Sequence, residues 1–175
     1  EMKKKNFKIG VIGLGYVGTP LALSLGRYFD VIGFDLNKKR ILELKNKKDT
    51  TKETTFIDFK RAKKIFFSHS IDDLRSCNIF IITVPSPVTK TNKPNFNYLK
   101  NASKTVAQVM KKNSIIVYES TVYPGATEEH CIPILEKISK LKYNKDFFCG
   151  YSPERINPGD KKHRLEDITK IVSAS

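Results

Sequence analysis

Three glycines and one aspartate constrain this chain more tightly than anything else in it. Gly13, Gly15 and Gly18 fall at the G-x-G-x-x-G spacing, directly after the apolar run Ile9 to Ile12 and directly before Pro20-Leu-Ala-Leu-Ser-Leu25. The first segment is the kind of short apolar run that forms a buried parallel strand, and the second continues as an apolar helical face. Each glycine has its own job. Gly13 permits the tight turn, Gly15 lets a pyrophosphate approach the backbone, and Gly18 lets the helix lie close to the strand. The first N–H groups of that helix then face the phosphates, where the helix dipole favours negative charge. Alone, the spacing could be a chance glycine-rich turn. Here it sits between strand and helix, and Asp35 ends the next apolar strand about 20 residues on, which predicts a dinucleotide site.

Asp35 also selects among dinucleotides. A carboxylate at this point accepts hydrogen bonds from the ribose hydroxyls and repels a 2′-phosphate, so it argues for NAD over NADP. Arg40, with Lys38 and Lys39, works against that selection, because a nearby arginine can hold a 2′-phosphate. The same three residues could equally begin a solvated helix. NAD is the expected cofactor.

At 175 residues the chain is long enough for one domain with a substantial core. Hydrophobic residues at 39% and charged residues at 29% fit a globular protein rather than a disordered or membrane one. No apolar run approaches the roughly 18 residues of a membrane span, so no membrane partner is expected. Lys3-Lys4-Lys5 before an apolar stretch imitates a signal peptide, but no small-x-small cleavage site follows and the glycine turn accounts for the stretch. Cys77, Cys131 and Cys149 are odd in number and widely spaced, and they match no metal pattern. They read as ordinary thiols of a reducing compartment, hence the cytoplasm, with no metal site expected. His130 beside Cys131 reads as packing or surface. The formal charge of +14 invites a nucleic-acid interpretation. The excess is spread as single and paired lysines without interleaved aromatics, so a lysine-rich solvated surface is the better reading. Such a surface also helps to attract anionic small molecules.

Strands and helices alternate along the chain. The pattern predicts strands at Lys8–Ile12, Val31–Asp35, Ile65–Ser68, Ile79–Val84, Ser114–Glu119 and Asp146–Tyr151, with Thr169–Val172 as a further candidate. Helices are predicted at Gly18–Phe29, Lys38–Leu44, Phe56–Ala62, Phe96–Lys111 and Ala126–Leu141. Alternation of this kind means an α/β fold: a doubly wound, mostly parallel sheet of Rossmann type with helices on both faces and ligands at the carboxyl ends of the strands.

The remaining signals gather at those carboxyl ends. Pro85-Ser-Pro87 stops the fourth strand and aims Ser86 at the cleft. Glu119-Ser-Thr121 follows the fifth strand, then Pro124-Gly125 and a helix containing Thr127. Ser152-Pro-Glu-Arg-Ile-Asn-Pro-Gly-Asp160 follows the sixth. Any one such turn is unremarkable, since Ser and Thr with Pro and Gly make turns widely. Three at the functional edge of one sheet carry more weight. Glu154, between Pro153 and Arg155, could orient a water or a substrate hydroxyl, or simply pair with Arg155 across the turn.

Together Gly13-Leu-Gly-Tyr-Val-Gly18, Val84-Pro-Ser-Pro87 with Lys93-Pro-Asn95, Glu119-Ser-Thr121 with Pro124-Gly-Ala-Thr127, and Ser152-Pro-Glu-Arg-Ile-Asn-Pro-Gly159 resemble the nucleotide-sugar 6-dehydrogenases. These are the UDP-glucose and UDP-N-acetylhexosamine dehydrogenases. The Ser-Pro-Glu-Arg-Ile-Asn-Pro-Gly form looks more like the UDP-N-acetylhexosamine branch, and UDP-glucose oxidation is the alternative. The resemblance implies oxidation of a C6 alcohol to a carboxylate in two NAD-dependent steps, through an aldehyde and a cysteine-bound thioester, for polysaccharide synthesis. It implies that Tyr16 and Val17 contact the cofactor beside Gly13, Gly15 and Gly18. Asp35 would hold the adenosine ribose with Arg40 nearby, and Ser86, Thr121 and Thr127 would line the NAD cleft. Thr121 and Glu154 match residues that position the hydrolytic water, and Arg155 and Ile156 match positions that touch the UDP-sugar substrate.

One departure stands out. Members of the family are more than twice this long, and their nucleophilic cysteine, catalytic lysine and asparagine follow on a central helix and a C-terminal domain. No Gly-Gly-His-Cys-like segment occurs here. The resemblance therefore implies an isolated NAD-binding domain over residues 1–175, inactive alone and monomeric, from an enzyme that is a homodimer at full length. A non-catalytic dinucleotide-sensing or nucleic-acid-binding domain is the competing interpretation.

Overall fold

The computed structural model describes residues 7–85, 87, 95–119, 125–152 and 173–174. Seven strands form one sheet in the order β3-β2-β1-β4-β5-β6-β7. They are β1 Lys8–Ile12, β2 Asp30–Phe34, β3 Ile65–Ser68, β4 Ile79–Ile82, β5 Ser114–Tyr118, β6 Phe147–Tyr151 and β7 Ser173–Ala174. The first six are parallel, and β7 runs antiparallel to β6 with Tyr151 opposite Ser173. Strand order reverses between β1 and β4, and a doubly wound sheet binds its ligand at such a switch point. The predicted strand at Thr169–Val172 lies outside the described residues.

The helices are α1 Gly18–Leu25, α2 Lys38–Lys45, α3 Phe56–Arg61, α4 Asn97–Ala107, α5 Ala126–His130 and α6 Ile132–Ser139. Alternation along β1 divides the core into two layers. Ile9 and Val11 pack with Ala22 and Leu23 of α1, Ile41 and Leu44 of α2, and Phe59 of α3. Ile12 joins Phe80, Ile116 and Tyr118 against Leu99 and Val106 of α4 and Ile132 and Leu135 of α6. Each fully buried aliphatic or aromatic side chain in these layers contributes roughly 1.5–3 kcal/mol of transfer free energy.

Local chemistry sets the element ends. Asn37 caps α2, its Oδ1 accepting from Lys39 N at 3.0 Å and Arg40 N at 3.2 Å, a cap of about 1 kcal/mol. Asp58 reaches back to the amide of Thr55 at 2.8 Å and starts α3. Helix α1 stops at Leu25, before the predicted end at Phe29. A Cβ at Gly26 would stand 3.0 Å from Ile65 Cβ, and the chain turns there to enter β2. The single helix expected over Ala126–Leu141 is in fact two, broken at Cys131. Pro133 sits in the first turn of α6, where it has no N–H to give to the carbonyl of residue 129 and its ring would clash there. A short 3-10 helix at Ile71–Ser76 was not expected from the sequence pattern.

Candidate functional site

The three glycines sit at the switch point and are required for three different reasons. Gly13 has φ +95°, and a Cβ there would approach Val84 Cγ1 to 2.8 Å. A Cβ on Gly18 would fall 1.8 Å from Gly13 O and 2.5 Å from Thr83 Oγ1, so helix and turn can meet only without it. A Cβ on Gly15 would meet nothing within 4 Å. Gly15 therefore opens onto space that a bound group can occupy. Tyr16 is 52% exposed beside it and Val17 is half-buried. Val17 caps α1 without a side-chain hydrogen bond, and no acidic residue lies in the first turn. Within the first turn, Thr19 N–H donates to Gly15 O and Leu21 N–H to Val17 O, both at 3.2 Å, and Pro20 has no N–H, so the space open to an anion is the one over Gly15 ahead of the helix.

Leu14 holds this cradle in place through its main chain. Its N–H donates to Asp35 Oδ2 at 2.9 Å, and its carbonyl accepts from Thr19 Oγ1 at 2.9 Å and Arg40 Nε at 2.8 Å. The Leu14 side chain is 1% exposed in the core. Asp35 stands just past β2, half-buried, with its other oxygen accepting from Asn37 N at 2.8 Å. Its carboxylate is thereby oriented one residue from the open glycine.

The sequence left Arg40 open between reaching a 2′-phosphate and beginning a solvated helix, and in the structure its guanidinium is turned inward. All five of its N–H positions have protein acceptors. Nε donates to Leu14 O, Nη2 to Thr19 Oγ1 at 2.9 Å and Asp49 Oδ1 at 2.7 Å, and Nη1 to Glu43 Oε2 at 3.5 Å and Thr50 Oγ1 at 3.3 Å. The side chain is only 9% exposed. Asp49 is buried deeper still and accepts from the amides and hydroxyls of Thr51 and Thr54 at 2.7–3.1 Å. Burial pushes its carboxyl up, but the hydrogen bonds from Thr51, Arg40 and Thr54 outweigh that and hold it below its ordinary value.

Two further residues were not picked out from the sequence. Thr83, directly after β4, places its hydroxyl 2.6 Å from Gly13 O and 3.1 Å from Ile12 O, tying the glycine turn to the far half of the sheet. Thr19 relays between Leu14 and Arg40. A hydroxyl ending an otherwise apolar strand was the available signal for Thr83.

At the other carboxyl ends, Thr127 is buried in the first turn of α5, and Glu119 and Ser152 are buried after β5 and β6. Among the described residues, the Ser152 hydroxyl has no hydrogen-bond partner. Ser86, Thr121, Glu154, Arg155 and Ile156 lie outside the described residues. The three cysteines are free and buried, and desolvation raises each thiol, Cys77 to about 11 and Cys149 to about 12. A thiol held neutral in this way is a poor nucleophile.

Residues 7–173 match the model of the UDP-glucose/GDP-mannose dehydrogenase family, NAD binding domain. The chain belongs to this family. Its cofactor is NAD, and the open cradle at Gly15 beside an oriented Asp35 fits that group. A UDP-N-acetyl-D-glucosamine 6-dehydrogenase from Pseudomonas aeruginosa is 51% identical over 171 residues, which covers 98% of this chain and 40% of that protein. One from Salmonella typhi is 54% identical over 168 residues, covering 96% and 40%. The chain therefore spans about 40% of the length of these relatives. A solved NDP-N-acetyl-D-galactosaminuronic acid dehydrogenase from Methanosarcina mazei superposes with a TM-score of 0.87 at 26% identity, covering 98% of this chain and 39% of that one. A UDP-D-ManNAc dehydrogenase from Pyrococcus horikoshii gives 0.83 at 28%, covering 96% and 41%. Among the described residues, no helix is long and apolar enough to cross a membrane.

Proposed function

We propose that this chain is the NAD-binding part of a cytoplasmic UDP-N-acetylhexosamine 6-dehydrogenase, which oxidises the C6 hydroxyl of its sugar to a carboxylate for polysaccharide synthesis. The observation that carries the cofactor half is the Leu14–Asp35 hydrogen bond, which orients a ribose-binding carboxylate beside an open glycine. The substrate half is supported by relatives named UDP-N-acetyl-D-glucosamine 6-dehydrogenase at 51% and 54% identity. When bound, NAD accepts the hydride. The chain's part is to seat the pyrophosphate over Gly15, Tyr16 and Val17 and to fix the adenosine ribose on Asp35. Ser86, Thr121 and Thr127 are proposed along the rest of the cleft. Thr121 and Glu154 are assigned to positioning the hydrolytic water, and Arg155 and Ile156 to the UDP-sugar. The nucleophilic cysteine is assigned to the sequence that the longer relatives carry beyond this region, as is the homodimer contact. The raised pKa values of Cys77, Cys131 and Cys149 agree with that assignment.

Isothermal titration with NAD and NADP at matched salt tests the cofactor half. Saturable NAD binding with much weaker NADP binding is expected. Asp35→Ala should weaken NAD and narrow its margin over NADP, and unchanged affinities for both would sink the assignment. DNA binding that collapses steeply with salt, without NAD binding, would favour the basic surface as the functional feature instead. For the substrate half, NADH formation by the protein at its relatives' full length should be faster on UDP-N-acetylglucosamine than on UDP-glucose. The reverse order would move the enzyme to the UDP-glucose branch.

A further inference from the structure

An arginine five residues past the ribose-binding acid is well placed to bind a 2′-phosphate, since its planar fork matches phosphate geometry. Here that arginine is turned inward. Leu14 links it to Asp35 through the main chain: the Leu14 N–H is held by the carboxylate and its C=O by the guanidinium. The group that turns it is Asp49, in the loop between α2 and α3, at 2.7 Å from Nη2. Four hydrogen bonds from Thr51 and Thr54 fix the Asp49 carboxylate, leaving it oriented and 1% exposed. We propose that Asp49 is a specificity-determining residue: by sequestering Arg40 behind the glycine turn, it denies a 2′-phosphate its cation and so enforces NAD over NADP. Discrimination then has two parts. Asp35 repels the 2′-phosphate directly, and Asp49 withholds the side chain that would reward it. The lowered pKa of Asp49 agrees, because it keeps the counter-charge in place at neutral pH.

The inference rests on the dinucleotide reading of the Asp35 edge, and titration calorimetry on this chain separates the two. The decisive quantity is Kd(NADP)/Kd(NAD) in the wild type, in Asp49→Asn, and in Asp49→Asn combined with Arg40→Met. Asn keeps the size of Asp but cannot hold the guanidinium as an ion pair. Asp49→Asn should lower the ratio by roughly tenfold, the worth of one charge-assisted hydrogen bond to phosphate. The double variant should return the ratio to its wild-type value, since no guanidinium remains to be released. A merely structural role for Asp49 would weaken both ligands alike and leave the ratio unmoved, and that result would overturn the proposal. So would a lowered ratio that persists without Arg40. If circular dichroism shows Asp49→Asn unfolded, Thr51→Val with Thr54→Val loosens the carboxylate while keeping its charge. A smaller fall in the ratio is then expected, and none would refute the idea. Wild-type chain that binds neither dinucleotide would overturn the dinucleotide reading itself, and the proposal with it.

Discussion

Gly15 and Gly18 are three residues apart in one turn, yet the structure predicts opposite consequences for filling them. At Gly15 a Cβ meets nothing within 4 Å and the backbone is not in the left-handed region, so Gly15→Val should change stability by no more than about 0.5 kcal/mol. The same isopropyl group occupies the space assigned to the pyrophosphate. Losing two charge-assisted hydrogen bonds there costs about 3 kcal/mol or more, which weakens NAD binding by at least roughly a hundredfold. At Gly18 even Ala places its Cβ 1.8 Å from the Gly13 carbonyl oxygen of the turn's own backbone and 2.5 Å from Thr83 Oγ1. Backbone must move, and overpacking of this kind costs about 1–3 kcal/mol. For a chain of this size that lowers Tm on the order of 5 °C. Thermal unfolding by circular dichroism and NAD titration of the two variants separate these effects. Gly15→Val that keeps NAD affinity, or Gly18→Ala that melts with the wild type, would refute the assignment of the two roles.

Two smaller perturbations bear on the same turn. Thr83→Val keeps the shape of the side chain but leaves Gly13 O without its 2.6 Å donor, so stability measured by urea unfolding should fall by about 1–2 kcal/mol with NAD affinity falling alongside. Asp49 makes stability pH-dependent with a defined sign. Its folded pKa lies below the unfolded value of 3.8, so its contribution is fully present above about pH 5 and drains away as pH falls through the folded pKa. The stability gap between wild type and Asp49→Asn should therefore be constant near neutrality and shrink below about pH 4, and a gap that widens on acidification would contradict the lowered carboxyl.

The sequence was legible where one residue's constraint is local. The bounds of β1 and β3 matched those read from their apolar runs, and α2 began at the predicted Lys38, where the structure shows Asn37 capping it. Gly13 and Asp35 could be placed because a tight turn and a strand end need only their neighbours. The break at Cys131 was missed although Pro133 is visible, because apolar spacing continues through Ile132 and Leu135 on the same buried face. The contacts of Arg40 were out of reach for a different reason. Its position past Asp35 could be read, but its direction depends on an aspartate in the next loop and on the Leu14 carbonyl 26 residues earlier. Thr83 acts on a partner 70 residues away, so its hydroxyl at the end of an apolar strand marked the position but not the partner.

The hydrogen bond from the Leu14 amide to Asp35 has a spectroscopic consequence. An amide proton donated to a carboxylate feels every competitor for that carboxylate, and a ribose hydroxyl arriving on Asp35 is such a competitor. One backbone resonance, buried in the chain's own turn and touching no ligand, thus becomes an internal reporter of the adenosine end of the site. Because both tethers of residue 14 run through its main chain, isotope labelling of that residue reads the site without altering any side chain that forms it.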